Sequence, residues 1–393
     1  MNGPRVNGPR LNGPRVNGPV RRVVVVGNGV AGLTAADALR DSGYDGELTV
    51  VGDERHPAYS RPALSKALLL DGDDLSSHEL PPATHEAHEL LGVRASGLDL
   101  ERRLVRLDGG DALPYDRLVI ATGSRARRLT GLPDELTLRG LDDALALRAR
   151  LAGRPSVVVV GGGPLGMEIA SGCLAAGCRV TLVSDGVPLS AQLGPYLAGV
   201  FVRAALERGL TLLTNGATHV EASAGQARVH LGDGEVVEAE LLVSAVGDVP
   251  NTEWLAGTGL ADGGVLQVDE RGLVRPGVAA AGDLAAFPTP YGRRRVPLWS
   301  SAIEQAKVAG AALVRGEQAP PLRFQPYFWT EQFGLSLKAA GELPVAGEPA
   351  FVEGGPGGPA LMRWSHGDGR GVAVALNHRV PIPKLRRVSQ AAA

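Results

Sequence analysis

The chain has little cysteine, few aromatic residues and almost no net charge. Two cysteines among 393 residues, Cys173 and Cys178, exclude a disulfide-stapled secreted scaffold. A net charge of −2 removes the basic footprint expected of a nucleic-acid binder or a membrane-surface protein. No apolar run reaches the roughly 20 residues of a membrane span. Residues 2–20 contain no apolar core of a signal peptide, and Arg21-Arg22 precedes valines that belong to a strand rather than an export signal. These absences predict a cytoplasmic protein with no nucleic-acid or membrane partner.

Glycine and proline are plentiful, at 54 and 28. Part of that excess lies in residues 2–20, which repeat Asn-Gly-Pro-Arg and have almost nothing to bury. They predict a disordered, slightly basic tail over residues 1–20. The remaining length is too great for one core and predicts two or three domains.

The informative feature is a fingerprint written twice, VVVVGNGVAG at 23–32 and VVVVGGGPLG at 157–166. In each, four valines predict a strand buried on both faces, followed by G-x-G-x-x-G and a helix-forming stretch. The first glycine permits a tight turn, the second lets backbone approach a pyrophosphate, and the third lets helix and strand pack closely. The phosphates then sit on the positive end of the helix. Two copies in strand–turn–helix context predict two dinucleotides held by one chain, and so electron transfer between them. Gly27, Gly29, Ala31 and Gly32 line the first cradle, and Gly161, Gly163 and Gly166 the second.

A ribose needs an acidic group about 20 residues past the glycines. Asp53 stands at the end of the first unit's strand 48–51, with Glu54 the second choice. The second unit's equivalent strand, 180–183, ends at Ser184 and Asp185 instead, and residues 184–195 contain no Arg or Lys for a 2′-phosphate. NADH is therefore favoured over NADPH, with Asp185 taking the ribose or the site being permissive.

Each half continues into short alternating strands, at 104–107 and 113–120 around the turn 108–111, and at 227–246 around the turn 232–234. Residues 323–338 are aromatic-rich and precede a strand-and-turn segment. The predicted fold is α/β: two Rossmann-like dinucleotide-binding domains, each with a small antiparallel insertion, plus a C-terminal α+β domain. The predicted boundaries are 21–129 with 252–319 for the first domain, 130–251 for the second and 320–393 for the third.

Further segments carry a resemblance. LVIATGSRARRL at 118–129, LLVSAVGDVPN at 241–251, VAAAGDLAAF at 278–287, RPALSK at 61–66, VPLWSSAIEQAKVAG at 296–310 and PYFWTEQFG at 326–334 resemble the FAD-dependent, NAD(P)H-oxidising ferredoxin reductases of the putidaredoxin and rubredoxin reductase type. The resemblance implies FAD on the first cradle, with Asp53 at its ribose, Ala95 at its adenine and Thr122-Gly123 on the return strand. It implies that Arg61, Lys66, Arg139 and Trp299 lie beside the flavin, with Trp329 as a further aromatic candidate. Gly282 and Asp283 end at the ribityl chain. It implies NAD(P)H on the second cradle, with Glu168 near the nicotinamide and able to pair with Lys66. Lys66 and Glu168 are the candidate catalytic pair. Pro297 departs from the family, which usually has Glu there.

Flavin disulfide reductases use a C-x-x-x-x-C redox pair, the spacing of Cys173 and Cys178. Here both fall within the second nucleotide-binding unit, where small packing residues are expected. Electrons are then expected to leave directly from the flavin to a two-iron, two-sulfur ferredoxin-like acceptor serving an oxygenase or cytochrome P450. The alternative is an NAD(P)H oxidase or a flavoenzyme acting on a small molecule. An acidic ferredoxin would dock on a basic patch, for which Arg293, Arg294, Arg295, Lys307, Arg315, Lys384, Arg386 and Arg387 are candidates. The expected assembly is a monomer or a homodimer.

Overall fold

Four valines in succession can form a stable strand only where both faces are covered. In the computed structural model Val23, Val24, Val25 and Val26 are each at most 3% exposed, at the centre of a sheet. The structure describes residues 20–66, 69, 78–81, 83–223, 225–365 and 371–391. The predicted N-terminal tail, apart from Val20, lies outside them. The chain divides into two compact units, one of Met1–Ala58, Pro81–Gly123 and Pro250–Arg323, the other of Tyr59–Leu80, Ser124–Val249 and Phe324–Ala393.

The first unit is built on a six-stranded sheet in the order Leu273–Arg275, Val278–Ala280, Arg117–Ile120, Arg22–Val26, Glu47–Gly52, His88–Leu91. All neighbours are parallel except the first pair. Helices Val30–Asp41 and Trp299–Arg315 cover one face through Ala35, Ala36, Leu39, Ala302, Ala306 and Ala309. They cross closely: a Cβ on Gly310 would stand 2.7 Å from the Ala35 carbonyl oxygen. The other face packs against the three-stranded insertion Ala95–Asp99, Leu104–Leu107 and Ala112–Pro114. Residues 113–120, expected as one strand, are two. The break falls at Tyr115 and Asp116, where Tyr115 N–H donates to Arg103 O at 3.0 Å and the Asp116 carboxylate accepts the Arg21 and Arg22 N–H groups at 2.9 and 2.8 Å.

The second unit repeats the plan with the order Thr211–Leu213, Arg179–Val183, Ser156–Val160, Leu241–Ser244, Glu135–Leu136, all parallel. Its insertion has a strand the sequence did not announce, Ala217–Ser223, whose residues are exposed or half-buried. A five-stranded antiparallel sheet, running Tyr327–Gln332, Leu335–Ala340, Gly371–Leu376, Ala360–Ser365, Ala350–Gly354, carries the C-terminal helix Ile382–Gln390. This sheet shares a continuous core with the nucleotide-binding layers, in which Val159, Met167 and Phe201 meet Phe333, Leu337 and Trp364. Residues 320–393 were expected to form a domain of their own. Residues 59–80, expected within 21–129, also belong to this second unit. Among the described residues no helix is long and apolar enough to cross a membrane.

Candidate functional site

The first fingerprint folds as its residue types require. Gly27 has φ +117°, and a Cβ there would stand 2.1 Å from the Ala121 carbonyl oxygen; one on Gly32 would stand 1.7 Å from Gly27 O. Gly29 differs, because a Cβ there would meet nothing within 4 Å. It is the N-cap of helix Val30–Asp41, with no side chain capping the helix. Its leading N–H groups therefore face an open cradle that suits a diphosphate. Ala31 packs beneath Gly282, whose φ is +88°. Gly282 N–H donates to Gln305 Oε1 at 2.8 Å, and Gln305 is 2% exposed. The next residue, Asp283, accepts the Arg295 Nε–H on its main-chain oxygen.

Around this cradle, Thr122 Oγ1 donates to Asn251 O at 2.7 Å and Asn251 Nδ2 donates back to Thr122 O at 3.0 Å. Gly123 follows at φ +61°. Ala95 opens the insertion, 8% exposed. Asp53 lies just past the strand Glu47–Gly52, exposed, with its carboxylate 3.7 Å from Arg94. Trp299 is the first residue of its helix. The open glycine, uncapped helix start and strand-end carboxylate fit an adenine dinucleotide.

The second cradle is a close copy. Gly161 has φ +119°, with a Cβ there 2.3 Å from Ala245 O, and a Cβ on Gly166 would be 1.9 Å from Gly161 O. Gly163 is open and is the N-cap of Pro164–Ala175, again without a capping side chain. Ser184 crowds Gly162, and Asp185 sits against Gly216, so both residues lie at the end of strand Arg179–Val183.

Glu168, one turn into the second helix, is 7% exposed and takes three donors. Lys66 Nζ lies 3.0 Å from Oε2, Ser65 Oγ donates to the same oxygen, and Thr330 Oγ1 donates to Oε1 at 2.6 Å. Gln332 Nε2 donates to Thr330 Oγ1 at 2.9 Å, and Lys66 also donates to Pro62 O at 3.1 Å. The segment 61–66 is further held by Arg61, which donates to Tyr59 Oη at 3.1 Å and to Arg139 O at 2.8 Å. Arg139 Nε donates to Ser124 O at 2.9 Å. Trp329 stacks on Tyr327 with centroids 5.8 Å apart. Ser65, Thr330, Gln332, Gln305, Asn251 and Tyr59 were not foreseen; all but Tyr59 stood inside the motifs at 61–66, 241–251, 296–310 and 326–334, the one signal available.

Both cysteines are buried free thiols, and burial pushes Cys173 up to about 12. Of the basic residues considered for docking, Arg293 and Arg294 are exposed on the hairpin strand Gly292–Arg295. Lys307 pairs with Glu304 at 3.1 Å, Lys384 with Glu353 at 2.7 Å, and Arg315 donates to Asp41 O at 3.0 Å.

Residues 21–306 match the family described as pyridine nucleotide-disulphide oxidoreductase. The chain belongs to that family. This pyridine nucleotide-disulphide oxidoreductase is 35% identical over 337 residues to the biphenyl dioxygenase system ferredoxin–NAD(+) reductase component of Paraburkholderia xenovorans strain LB400, covering 83% of this chain and 82% of the relative. It is 34% identical over 346 residues to rhodocoxin reductase of Rhodococcus erythropolis, covering 84% and 80%. Its fold superposes on putidaredoxin reductase, solved in covalent complex with putidaredoxin, with a TM-score of 0.84 at 29% identity over 94% of this chain and 92% of that one. The redox disulphide of the family name has no counterpart among the two buried thiols.

Proposed function

We propose that the protein oxidises NADH and passes the electrons through FAD to a ferredoxin-type iron–sulfur protein that feeds an oxygenase. The observation that carries this reading is the pair of open glycine cradles, one per unit, each at an uncapped helix start. Relatives named as ferredoxin–NAD(+) reductase components, and a neighbour solved with its ferredoxin, supply the acceptor class. The work is placed in the cytoplasm, where NADH is abundant.

A bound flavin supplies hydride acceptance and the release of electrons one at a time. The protein's own residues bind and orient. Gly29, Ala31 and Gly32 would present backbone N–H groups to the FAD diphosphate, and Gly27, whose N–H is donated to Val51 O at 2.7 Å, gives the tight turn that brings them there. Asp53 takes the ribose, Ala95 the adenine, and Gly282 with Asp283 the ribityl chain, while Thr122 and Gly123 fix the loop beside them. Gly163 and Gly166 would do the same for NADH, with Gly161, whose N–H is donated to Val183 O at 2.8 Å, as the turn and with Ser184 and Asp185 at the ribose. Arg61, Arg139, Trp299 and Trp329 belong to the flavin's surroundings. Lys66 offers a positive charge to the reduced ring, and Glu168 holds its ammonium in one place through the 3.0 Å pair. Cys173 and Cys178 are buried free thiols of the second unit and offer no dithiol relay, so a bound flavin would supply the acceptor directly.

Anaerobic titration tests the reading. The purified protein should be yellow, bleach with one equivalent of NADH and respond to NADPH only at higher concentration. Stopped-flow mixing of the reduced protein with a ferredoxin and with oxygen should give the faster reoxidation with ferredoxin. A colourless protein, or faster reoxidation by oxygen, refutes it.

A further inference from the structure

The strands Arg22–Val26, Arg117–Ile120 and Val278–Ala280 are parallel, so the first unit has two distinct ends. The dinucleotide cradle occupies the end where these strands finish, at Gly27, Ala121 and Gly282. Where they begin lies a cleft of about 690 Å³ lined by Leu98, Arg103, Tyr115, Thr258, Arg275 and Val278, among others. Strands of three to five residues separate the two ends by roughly 10–15 Å.

The cleft's charges are unequally spent. Asp116 on its wall is committed to the Arg21 and Arg22 N–H groups. Asp99 accepts the Arg102 N–H at 2.9 Å and lies 3.7 Å from Arg106, which leaves exposed Glu101 as the one acid on the wall with no such commitment. The Arg103 and Arg275 side chains make no hydrogen bond or ion pair among the described residues; their main chains are used by Tyr115 N–H and by the strand Val278–Ala280. Arg103 stands in the turn before Leu104–Leu107 at φ +55°, and Arg275 at the tip of the hairpin leading into Val278–Ala280. Arg117 is close enough to Arg103 to be pushed down, chiefly by its own burial and then by that like charge. Between them Tyr115 is 3% exposed, and its hydroxyl has no hydrogen-bond partner among the described residues. The ring is buried while the hydroxyl stays open to water in the cleft. Facing a cleft between uncommitted guanidinium groups, it is placed to bond a ligand oxygen.

We propose that this cleft is a second anion site, distinct from both dinucleotide cradles, that takes a phosphate-bearing small molecule of mononucleotide size. Arg103 and Arg275 hold the phosphate, Tyr115 donates a hydrogen bond to it, and Leu98 and Val278 face the remainder. The volume falls within the range of small-ligand sites, and guanidinium is the donor best matched to phosphate oxygens. The site does not depend on the acceptor assigned above.

The test uses the full chain with FAD bound and NAD+ saturating, so that both cradles are filled, and calorimetric titration with AMP and with inorganic phosphate. One molecule of AMP should bind per chain. Arg275→Glu should weaken it at least tenfold and Tyr115→Phe about threefold, as expected for losing a charged and a neutral hydrogen bond, while flavin reduction by NADH stays unchanged. Arg150→Glu, the same charge change on an exposed helix of the other unit, should leave AMP affinity as it was. Phosphate binding as tightly as AMP assigns recognition to the phosphate alone, and AMP binding without phosphate adds the apolar wall. Absence of binding for both probes at millimolar concentration, or binding indifferent to Arg275→Glu, overturns the proposal.

Discussion

Replacing Glu168 by Gln and Lys66 by Met should not cost the same, although the two groups form one ion pair. Glu168 Oε2 accepts from Ser65 and Lys66, and Oε1 accepts from Thr330. An amide has one oxygen and one NH2, so with its oxygen toward Ser65 and Lys66 its NH2 faces Thr330 Oγ1, which must accept it and give up its own donation. Glu168→Gln also leaves the Lys66 ammonium, 16% exposed on its side chain, with neutral oxygens, the amide and Pro62 O, and no anionic partner. Breaking a fully buried pair in this way costs about 3–5 kcal/mol, and the residual exposure brings the expectation to about 3 kcal/mol. Lys66→Met keeps most of the apolar stem and leaves the carboxylate two hydroxyl donors, each worth about 1.5–3 kcal/mol to a charged group, so about 1–2 kcal/mol is expected. Urea unfolding followed by tryptophan fluorescence, with excess FAD held constant in every sample, measures both. Lys66→Met should in addition slow flavin reduction, because the cation meant for the reduced ring is gone. Equal costs, or a larger cost for Lys66→Met, would refute the three-donor account of Glu168.

Three further outcomes follow from the geometry. Gly27→Ala should abolish FAD retention and Gly161→Ala should raise the KM for NADH while leaving FAD bound, each by a clash of Cβ with a carbonyl oxygen at 2.1 and 2.3 Å; gel filtration with absorbance at flavin wavelengths and steady-state kinetics separate the two. Burial pushes Cys173 from 9.0, and Tyr44 from 10.0, to about 12. The folded state therefore keeps protons that the unfolded chain releases, so stability is full below pH 9 and falls as pH rises toward 12, by about 1.4 kcal/mol per unit for each group. Urea midpoints at pH 8, 9.5 and 11 should decline, and a flat course contradicts this. Arg293→Glu combined with Arg294→Glu should slow ferredoxin reduction at low salt and not at high salt. These are better choices than Arg295, whose Nε–H is engaged by Asp283 O beside the cradle. A rate that ignores the double change removes this hairpin from the docking surface.

What the sequence disclosed follows from the range over which its signals act. The valine strands, glycine turns and helix starts are local, and residues 23–41 and 157–175 fold as their own spacing dictates. The strand Ala217–Ser223 was hidden because its apolar residues are one valine and two alanines, all only half-buried, so the alternation is too weak to mark it. The break inside 113–120 depends on Asp116 bonding Arg21 and Arg22, more than 90 residues away. The partners of Glu168 come from positions 65 and 330, a convergence no window of sequence contains. The placement of 59–80 and of 324–393 in one unit has the same origin. Tyr59, Leu64, Phe333 and Trp364 join a core laid down by Val157, Met167 and Phe201.

The chain passes between its two units at residues 58/59, 80/81, 123/124, 249/250 and 323/324. During synthesis, strand Arg117–Ile120 emerges about 160 residues before its neighbour Val278–Ala280, a wait of about 10–30 s at ordinary elongation rates. Throughout that interval the first sheet has an apolar edge with no partner, the condition that invites mispairing and chaperone capture. Neither unit can be finished before synthesis has passed about residue 320. Yield in a foreign host should therefore respond to growth temperature and chaperone supply more than to changes on the folded surface.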